Sequence, residues 1–274
     1  MRERNTMIGT DPFDLQGRIA LVTGAGQGVG RGIALTLARH NAGGIAVNDF
    51  VLDRAEAVAE EIRALGVKAA AVQADVGDHA SVSAAFAKAK AELGAPATIL
   101  VNNAGNAGPN VTMGMSPPFW ETKPEEWDRF FRTNSTGVLN CCHVAVPDMV
   151  AANFGRIVTI VSDAGRVGEQ RLAVYSAAKA AASGFIRALA RETGRHNITC
   201  NAISLSTIAP PMSEEDMEAF MARDQVKAQL SRYAIRRYGT PDDVALMALL
   251  LSAPASSWIT GQTYPVNGGY SFAQ

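Results

Sequence analysis

Tyr175-Ser176-Ala177-Ala178-Lys179 sets a phenol and an ammonium four residues apart. On a helix that spacing brings both side chains to one face. A phenol ordinarily ionises near pH 10 (about 10), too high for a base at neutral pH. A neighbouring cation favours the phenolate. A tyrosine so placed could take a proton from an alcohol, or return one to a carbonyl in the reverse direction. The same pair, taken alone, is also an ordinary stretch of helix surface. Ser162 adds weight to the chemical reading. It lies 13 residues before Tyr175 and directly follows the apolar run Ile157-Val158-Thr159-Ile160-Val161. A hydroxyl at such a strand end could hold a substrate oxygen beside the phenol; its plainer reading is a turn residue.

A second constellation lies near the N-terminus. Thr23-Gly24-Ala25-Gly26-Gln27-Gly28-Val29-Gly30 follows an apolar run and precedes helical spacing. Glycines there permit a tight turn and let backbone N–H groups approach a pyrophosphate. The helix that follows would present its positive end to that anion. The pattern is TGxxxGxG rather than GxGxxG. Asp49, about 20 residues on, stands where a carboxylate would bond an adenosine ribose and repel a 2′-phosphate. A helix cap or a solvated turn is its plainer reading. Gln27, Phe50 and Val51 offer no cation to a 2′-phosphate, with Arg31 and Arg54 as the exceptions. NAD is therefore expected in preference to NADP.

Both constellations need a scaffold. Strand-like runs are expected at residues 18–23, 44–48, 67–74, 97–102, 156–161, 197–203 and 263–266. Helices are expected at 28–41, 53–65, 78–93, 124–152 (with some interruption), 172–195 and 242–251. Strands poor in charge alternating with helices predict an α/β chain: a doubly wound parallel sheet of about seven strands, helices on both faces. Its ligands would bind at the carboxyl edge of the sheet. No Pro/Ser/Gly-rich linker interrupts the chain, so one domain is expected over 15–274, preceded by a flexible tail or arm over 1–14. The segments 106–123 and 204–223 are the least regular, and both should overhang the site.

Composition narrows the classes. Of 274 residues, 47% are hydrophobic and 19% charged, with a formal net charge of −1. That balance argues against a nucleic-acid partner. No run of about 18 apolar residues suggests a membrane span, and the first 14 residues lack the apolar stretch of a signal peptide. Cys141, Cys142 and Cys200 show no metal spacing, and a reducing cytoplasm is expected. Cys141 and Cys142 read as core. His40, His79, His143 and His196 are scattered without ligand spacing, so no metal is expected.

From about residue 17 to 270 the sequence resembles the short-chain dehydrogenase/reductase family, of the single-domain, Rossmann-type kind. The resemblance rests on an ordered set: Thr23–Gly30, Asp75-Val76, Asn102-Asn103-Ala104-Gly105, Asn134, Ser162, Tyr175-x-x-x-Lys179, Asn201-Ala202, Gly261-Gln262 and Asn267-Gly268-Gly269. It implies catalytic roles for Asn134, Ser162, Tyr175 and Lys179. Cofactor contacts are implied at Gly24, Gln27, Gly28, Val29, Gly30, Asp49, Asp75, Val76, Asn103, Ala104, Gly105, Tyr175, Lys179 and Ile208. Asp75 and Val76 would meet the adenine, and Lys179 the nicotinamide ribose. Asn134 would support a water linking Lys179 to solvent; without the resemblance it is only a poor helix residue. A homodimer or homotetramer through the long helices carrying Asn134 and Tyr175 is also implied.

Two departures stand out. Leu205 and Ser206 occupy the slots where the family usually has Pro-Gly, and Pro210 replaces a common Thr. Either Ser206 or Thr207 supplies a replacement bond, or the contact is absent. The stretch 106–120 is longer than is common. It is either a surface loop or an apolar pocket wall carrying Met113, Met115, Phe119 and Trp120. Met212, Met217, Phe220 and Met221 form a second apolar set that could equally be ordinary packing. If both sets face the site, the substrate is a hydrophobic secondary alcohol or ketone, cyclic or steroid-like. The alternatives are an NADPH-dependent carbonyl or 3-oxoacyl reductase, and a non-catalytic nicotinamide-binding sensor or scaffold.

Overall fold

The computed structural model describes residues 11–105, 117–209 and 212–272. Seven strands form one parallel sheet: β1 Ile19–Val22, β2 Gly44–Asp49, β3 Ala69–Gln73, β4 Ile99–Asn102, β5 Gly155–Ser162, β6 Ile198–Leu205 and β7 Thr263–Val266. Its order is β3-β2-β1-β4-β5-β6-β7. Winding proceeds outward from β1 in one direction and from β4 in the other. The crevice between β1 and β4, at their carboxyl ends, is therefore where a ligand finds room.

The helices are α1 Gly28–Arg39, α2 Leu52–Ala64, α3 His79–Leu93, α4 Asp128–Phe131, α5 Gly137–Ala151, α6 Ala164–Val167, α7 Ala173–Thr193, α8 Glu214–Met221, α9 Asp224–Leu230 and α10 Pro241–Ser252. Alternation along the strands decides which helix covers which face. Ala20 and Val22 point into a core with Ile33 and Leu37 of α1, Val58 and Ile62 of α2, and Val244 and Leu249 of α10. Leu21 and Leu100 point into the opposite core, with Val82 of α3, Val138 and Cys142 of α5, and Ile186 of α7. Strands buried on both faces read as continuous apolar runs, which is why the sequence revealed them.

The interruption expected in the helix over 124–152 falls at its N-terminal end. A 3₁₀ turn Pro124–Glu126 leads into α4, then a π-helical turn Arg132–Thr136, and only then α5. The expected tail is tied down over its last four residues: Asp14 accepts from the Asn41 amide at 2.7 Å, and the Phe13 ring packs edge-on to His40. Residues 1–10 lie outside the described residues. Among the described residues, no helix is long and apolar enough to cross a membrane.

Candidate active site

The glycine-rich turn leaves β1 with Gly24 and Gly28 in the left-handed region, at φ 60° and 54°. L side chains are strained there. Gly30 serves packing: a Cβ on it would stand 2.3 Å from the Gly24 carbonyl and 2.5 Å from the Asn103 amide. Asn103 fastens the turn to β4, its amide donating to the carbonyls of Thr23 (2.9 Å) and Gly24 (3.0 Å). In return the Thr23 hydroxyl accepts from the Asn103 and Ala104 N–H groups, both at 3.0 Å.

Over this turn lies a cleft of about 610 Å³. It gathers Gly24, Gln27, Gly28, Val29, Asp49, Asp75, Val76, Asn103, Ala104 and Gly105 from the carboxyl ends of four strands. The first turn of α1 carries no acidic residue, so its positive end faces the cleft unopposed. Asp49 accepts from the Gly26 and Val51 N–H groups, each at 3.0 Å. Each of its oxygens keeps a lone pair for a ribose hydroxyl. Cleft, glycine cradle and carboxylate fit a dinucleotide. Asn48, Phe50, Arg54, Arg129, Arg132 and Thr133 also line the cleft. Arg132, which carries no motif in the sequence, meets Asp75 through its guanidinium at 2.7 Å from 57 residues away. Arg31, one of the two cations considered for a 2′-phosphate, is engaged by Glu61 instead, leaving Arg54 in the cleft.

Ser162, Tyr175, Lys179 and Asn134 come together beside Gly105. The Ser162 hydroxyl ends β5, acts on the Tyr175 phenol to favour its ionisation, and accepts from the Ala164 N–H at 3.2 Å. The Lys179 ammonium donates to the Ile160 carbonyl at 2.9 Å and lies 6.0 Å from the centre of the Tyr175 ring. A Cβ at Gly105 would fall 3.0 Å from Lys179 Nζ and 3.1 Å from Asn134 Oδ1, so glycine leaves room for that meeting. Asn134 is wholly buried in the π turn, its amide donating to the Phe130 carbonyl at 2.9 Å. The π turn removes Asn134 from regular helix geometry, which answers the sequence's puzzle over a poor helix former.

Burial sets the electrostatics. It pulls the Lys179 ammonium down to about 8. Burial pushes the Tyr175 phenol above its ordinary value, while the Ser162 hydroxyl pulls it back. The expectation that Lys179 lowers Tyr175 is thus not what dominates here: desolvation is the larger effect, and Ser162 opposes it. A phenol held protonated beside a hydroxyl can donate to a carbonyl oxygen. It can accept from an alcohol once positive charge is brought near.

A second cleft of about 380 Å³ opens beside Tyr175, lined by Phe119, Trp120, Trp127, Phe130, Leu172 and Val174 among others. Phe119 and Trp127 stack at 5.3 Å. Phe119 and Trp120, for which a pocket wall and a surface loop were the alternatives, line this cleft while standing 48% and 81% exposed; Met113 and Met115 lie outside the described residues. Phe220 and Met221 instead pack on Val226, Leu230, Tyr233 and Tyr238, the packing alternative weighed for that segment. Met212 is exposed. Ile208 bridges to Gly239 near the end of β6. The Ser206 hydroxyl donates to the Asn267 carbonyl at 3.2 Å, and the Thr207 hydroxyl accepts from Gln229 at 2.9 Å. In this structure both hydroxyls thus bond the protein itself.

Cys141, Cys142 and Cys200 are buried free thiols, pushed well up by desolvation. His79 and His143, scattered in sequence, meet at 3.0 Å. Among the described residues no group of three His, Cys, Asp or Glu could hold a metal.

Residues 24–271 match the family model described as Enoyl-(Acyl carrier protein) reductase. The chain is 38% identical over 251 residues to a Staphylococcus aureus 3-oxoacyl-[acyl-carrier-protein] reductase, covering 91% of this chain and 96% of that one. The Escherichia coli protein of the same name is 36% identical over 259 residues, covering 94% and 98%. Among solved structures, a 7α-hydroxysteroid dehydrogenase complexed with NADH and 7-oxo glycochenodeoxycholic acid superposes with a TM-score of 0.84 at 33% identity. That match covers 96% of this chain and 98% of that one. A 3-oxoacyl-[acyl-carrier protein] reductase from Brucella melitensis gives 0.84 and 33%, covering 95% of both chains. With a nucleotide-sized cleft beside a Ser–Tyr–Lys–Asn cluster on a seven-stranded parallel sheet, the chain belongs to the short-chain dehydrogenase/reductase family, oxidoreductases of CH–OH and keto groups.

Proposed function

We propose that this protein interconverts a hydrophobic secondary alcohol and its ketone, with NAD(H) as the cofactor. The observation that carries this is the convergence of Ser162, Tyr175, Lys179 and Asn134 between the dinucleotide-sized cleft and the apolar one. Gly24, Gln27, Gly28 and Val29 would hold the pyrophosphate, Asp49 the adenosine ribose, and Asp75 and Val76 the adenine. Asn103, Ala104, Gly105 and Ile208 would line the rest of the path. A dinucleotide held there would supply hydride transfer. Ser162 holds the substrate oxygen, and Tyr175 takes or gives the proton at it. Lys179 would orient the nicotinamide ribose, and it keeps positive charge near the phenol. Asn134 holds the Lys179 end of the proton path, toward a water.

The apolar cleft beside Tyr175 supports a bulky or cyclic substrate, and the steroid-bound neighbour supports it further. A second reading, reduction of a 3-oxoacyl thioester with NADPH, is supported by the names of the relatives. A panel separates the two: cyclic alcohols and ketones, hydroxysteroids and 3-oxoacyl thioesters, each with NAD(H) and NADP(H), followed at the nicotinamide absorbance. Turnover of cyclic or steroid alcohols with NAD is expected. Preference for 3-oxoacyl thioesters with NADPH selects the second reading. No turnover of any substrate, with cofactor bound, favours a non-catalytic sensor.

A cytoplasmic single-domain homo-oligomer fits this reading. Leu139 is 42% exposed on α5, beside Val146, Phe185 and Leu189 in an apolar groove between α5 and α7. Leu139→Asp is expected to shift the native mass in analytical ultracentrifugation to half or less. An unchanged mass would place assembly elsewhere.

A further inference from the structure

Asp163 follows Ser162 and is 1% exposed, where the cost of burying a carboxylate is high unless it is fully partnered. It is fully partnered. Oδ1 accepts from the Ser204 hydroxyl at 2.6 Å and from Arg166 at 3.1 Å. Oδ2 accepts from the Asn267 amide at 2.6 Å and the Ser271 hydroxyl at 2.9 Å. One side chain thereby joins the ends of β5 and β6 to the C-terminal segment 267–271. Its main chain does local work too: its N–H donates to the Leu205 carbonyl, and its carbonyl accepts from Arg166 and Val167, starting α6. That turn supplies the Ala164 N–H that Ser162 accepts.

The same C-terminal segment reaches the other member of the pair. The Tyr270 hydroxyl donates to Glu169, which also faces Arg232 of the segment after α9 at 3.7 Å. The Glu169 carbonyl accepts from the Leu172 N–H, and the Leu172 carbonyl from the Ser176 N–H, at the start of α7 where Tyr175 sits. Ser206, in the slot where Pro-Gly was expected, adds a tie from β6 to Asn267.

We propose that Asp163 is a positioning residue: with the segment 267–271 it forms a strap that sets Ser162 and Tyr175 at their working separation. This rests on the assignment of that pair as the catalytic one. An amide at 163 keeps one acceptor oxygen and turns an N–H toward donors on the other side, so the strap loosens while the volume is kept.

The test compares Asp163→Asn with Thr193→Ala, a buried change at the far end of α7, and with Ser162→Ala and Tyr175→Phe. Each is assayed well below its melting temperature on the best substrate of the panel above, with cofactor affinity followed by nicotinamide fluorescence. Asp163→Asn is expected to lower kcat on the order of 100-fold with cofactor affinity unchanged, as sub-ångström misplacement of reacting groups does. Its pH profile should move alkaline, because the Ser162 influence that lowers the phenol is weakened. Thr193→Ala should move neither. Wild-type kcat and pH profile in Asp163→Asn, with turnover lost in Ser162→Ala and Tyr175→Phe, overturns the strap and leaves the pair standing. Turnover retained in those two overturns the pair, and the strap with it. If Asp163→Asn does not fold, Tyr270→Phe cuts the other end from an accessible position. A reduced kcat and the same alkaline move support the strap; a wild-type profile overturns it.

Discussion

Tyr175→Phe is expected to lower kcat by about 10²- to 10⁴-fold, the usual worth of a positioned general acid or base. The substitution removes one oxygen and keeps the ring beside Lys179. The dinucleotide cleft is built from the glycine turn, Asp49 and the β4 end, so the cofactor dissociation constant should stay within about twofold, well under 1 kcal/mol. Steady-state turnover and nicotinamide fluorescence titration read the two quantities separately. Unaffected turnover would remove Tyr175 from the chemistry. A loss of cofactor affinity equal to the loss of turnover would make it a binding residue instead.

Lys179 gives this expectation a pH signature. Its ammonium, pulled down to about 8, is charged below that value and neutral above it. kcat/KM reports the free protein. If the charge is needed, kcat/KM for ketone reduction falls as pH rises through about 8. The stability linkage has the opposite sense. The folded value lies below the unfolded 10.5, so between about 8 and 10.5 the unfolded chain binds more protons and this residue's contribution to stability rises with pH. Lys179→Met should therefore lose both the kinetic limb and this rise in melting temperature. A limb near 8 that survives in Lys179→Met belongs to another group.

The second large effect is expected at Asp49. Asp49→Ala removes the two cleft-lining oxygens proposed to bond a ribose, and with them a negative charge that would oppose a 2′-phosphate. Hydrogen bonds to charged groups are worth about 1.5–3 kcal/mol, so kcat/KM with NAD should fall about 10- to 100-fold. With NADP it should hold or rise, because Arg54 remains in the cleft without its opposing carboxylate. Paired assays with both cofactors measure the ratio. An equal loss with both would mean that Asp49 acts by shaping the turn through its bonds to Gly26 and Val51. An unchanged ratio would return the 3-oxoacyl, NADPH reading to first place.

Much of this site was legible in order along the chain. Parallel strands buried on both faces cannot hide their apolar runs, and a dinucleotide turn needs glycine where φ is positive. Tyr175 and Lys179 share one helix, so their spacing alone predicts that they share a face. Other features had no local signal. The pairs Arg132–Asp75 and Asp163–Asn267 span 57 and 104 residues, and sequence spacing says nothing about such partners. The π turn at Asn134 was hidden because one inserted residue leaves the helical pattern nearly intact.

Tyr175, Lys179, Ser162 and the glycine turn were thus legible in the sequence itself, as residue types standing in order at recognisable spacings. Tertiary structure decided the setting of that chemistry. Desolvation in the packed fold, rather than Lys179, dominates the Tyr175 phenol. Parallel register brings the ends of β5 and β6 side by side, so that Asp163 can bind Ser204 and take hold of the C-terminal segment. Burial and long-range register are properties of the folded chain, because each depends on residues that only folding makes neighbours.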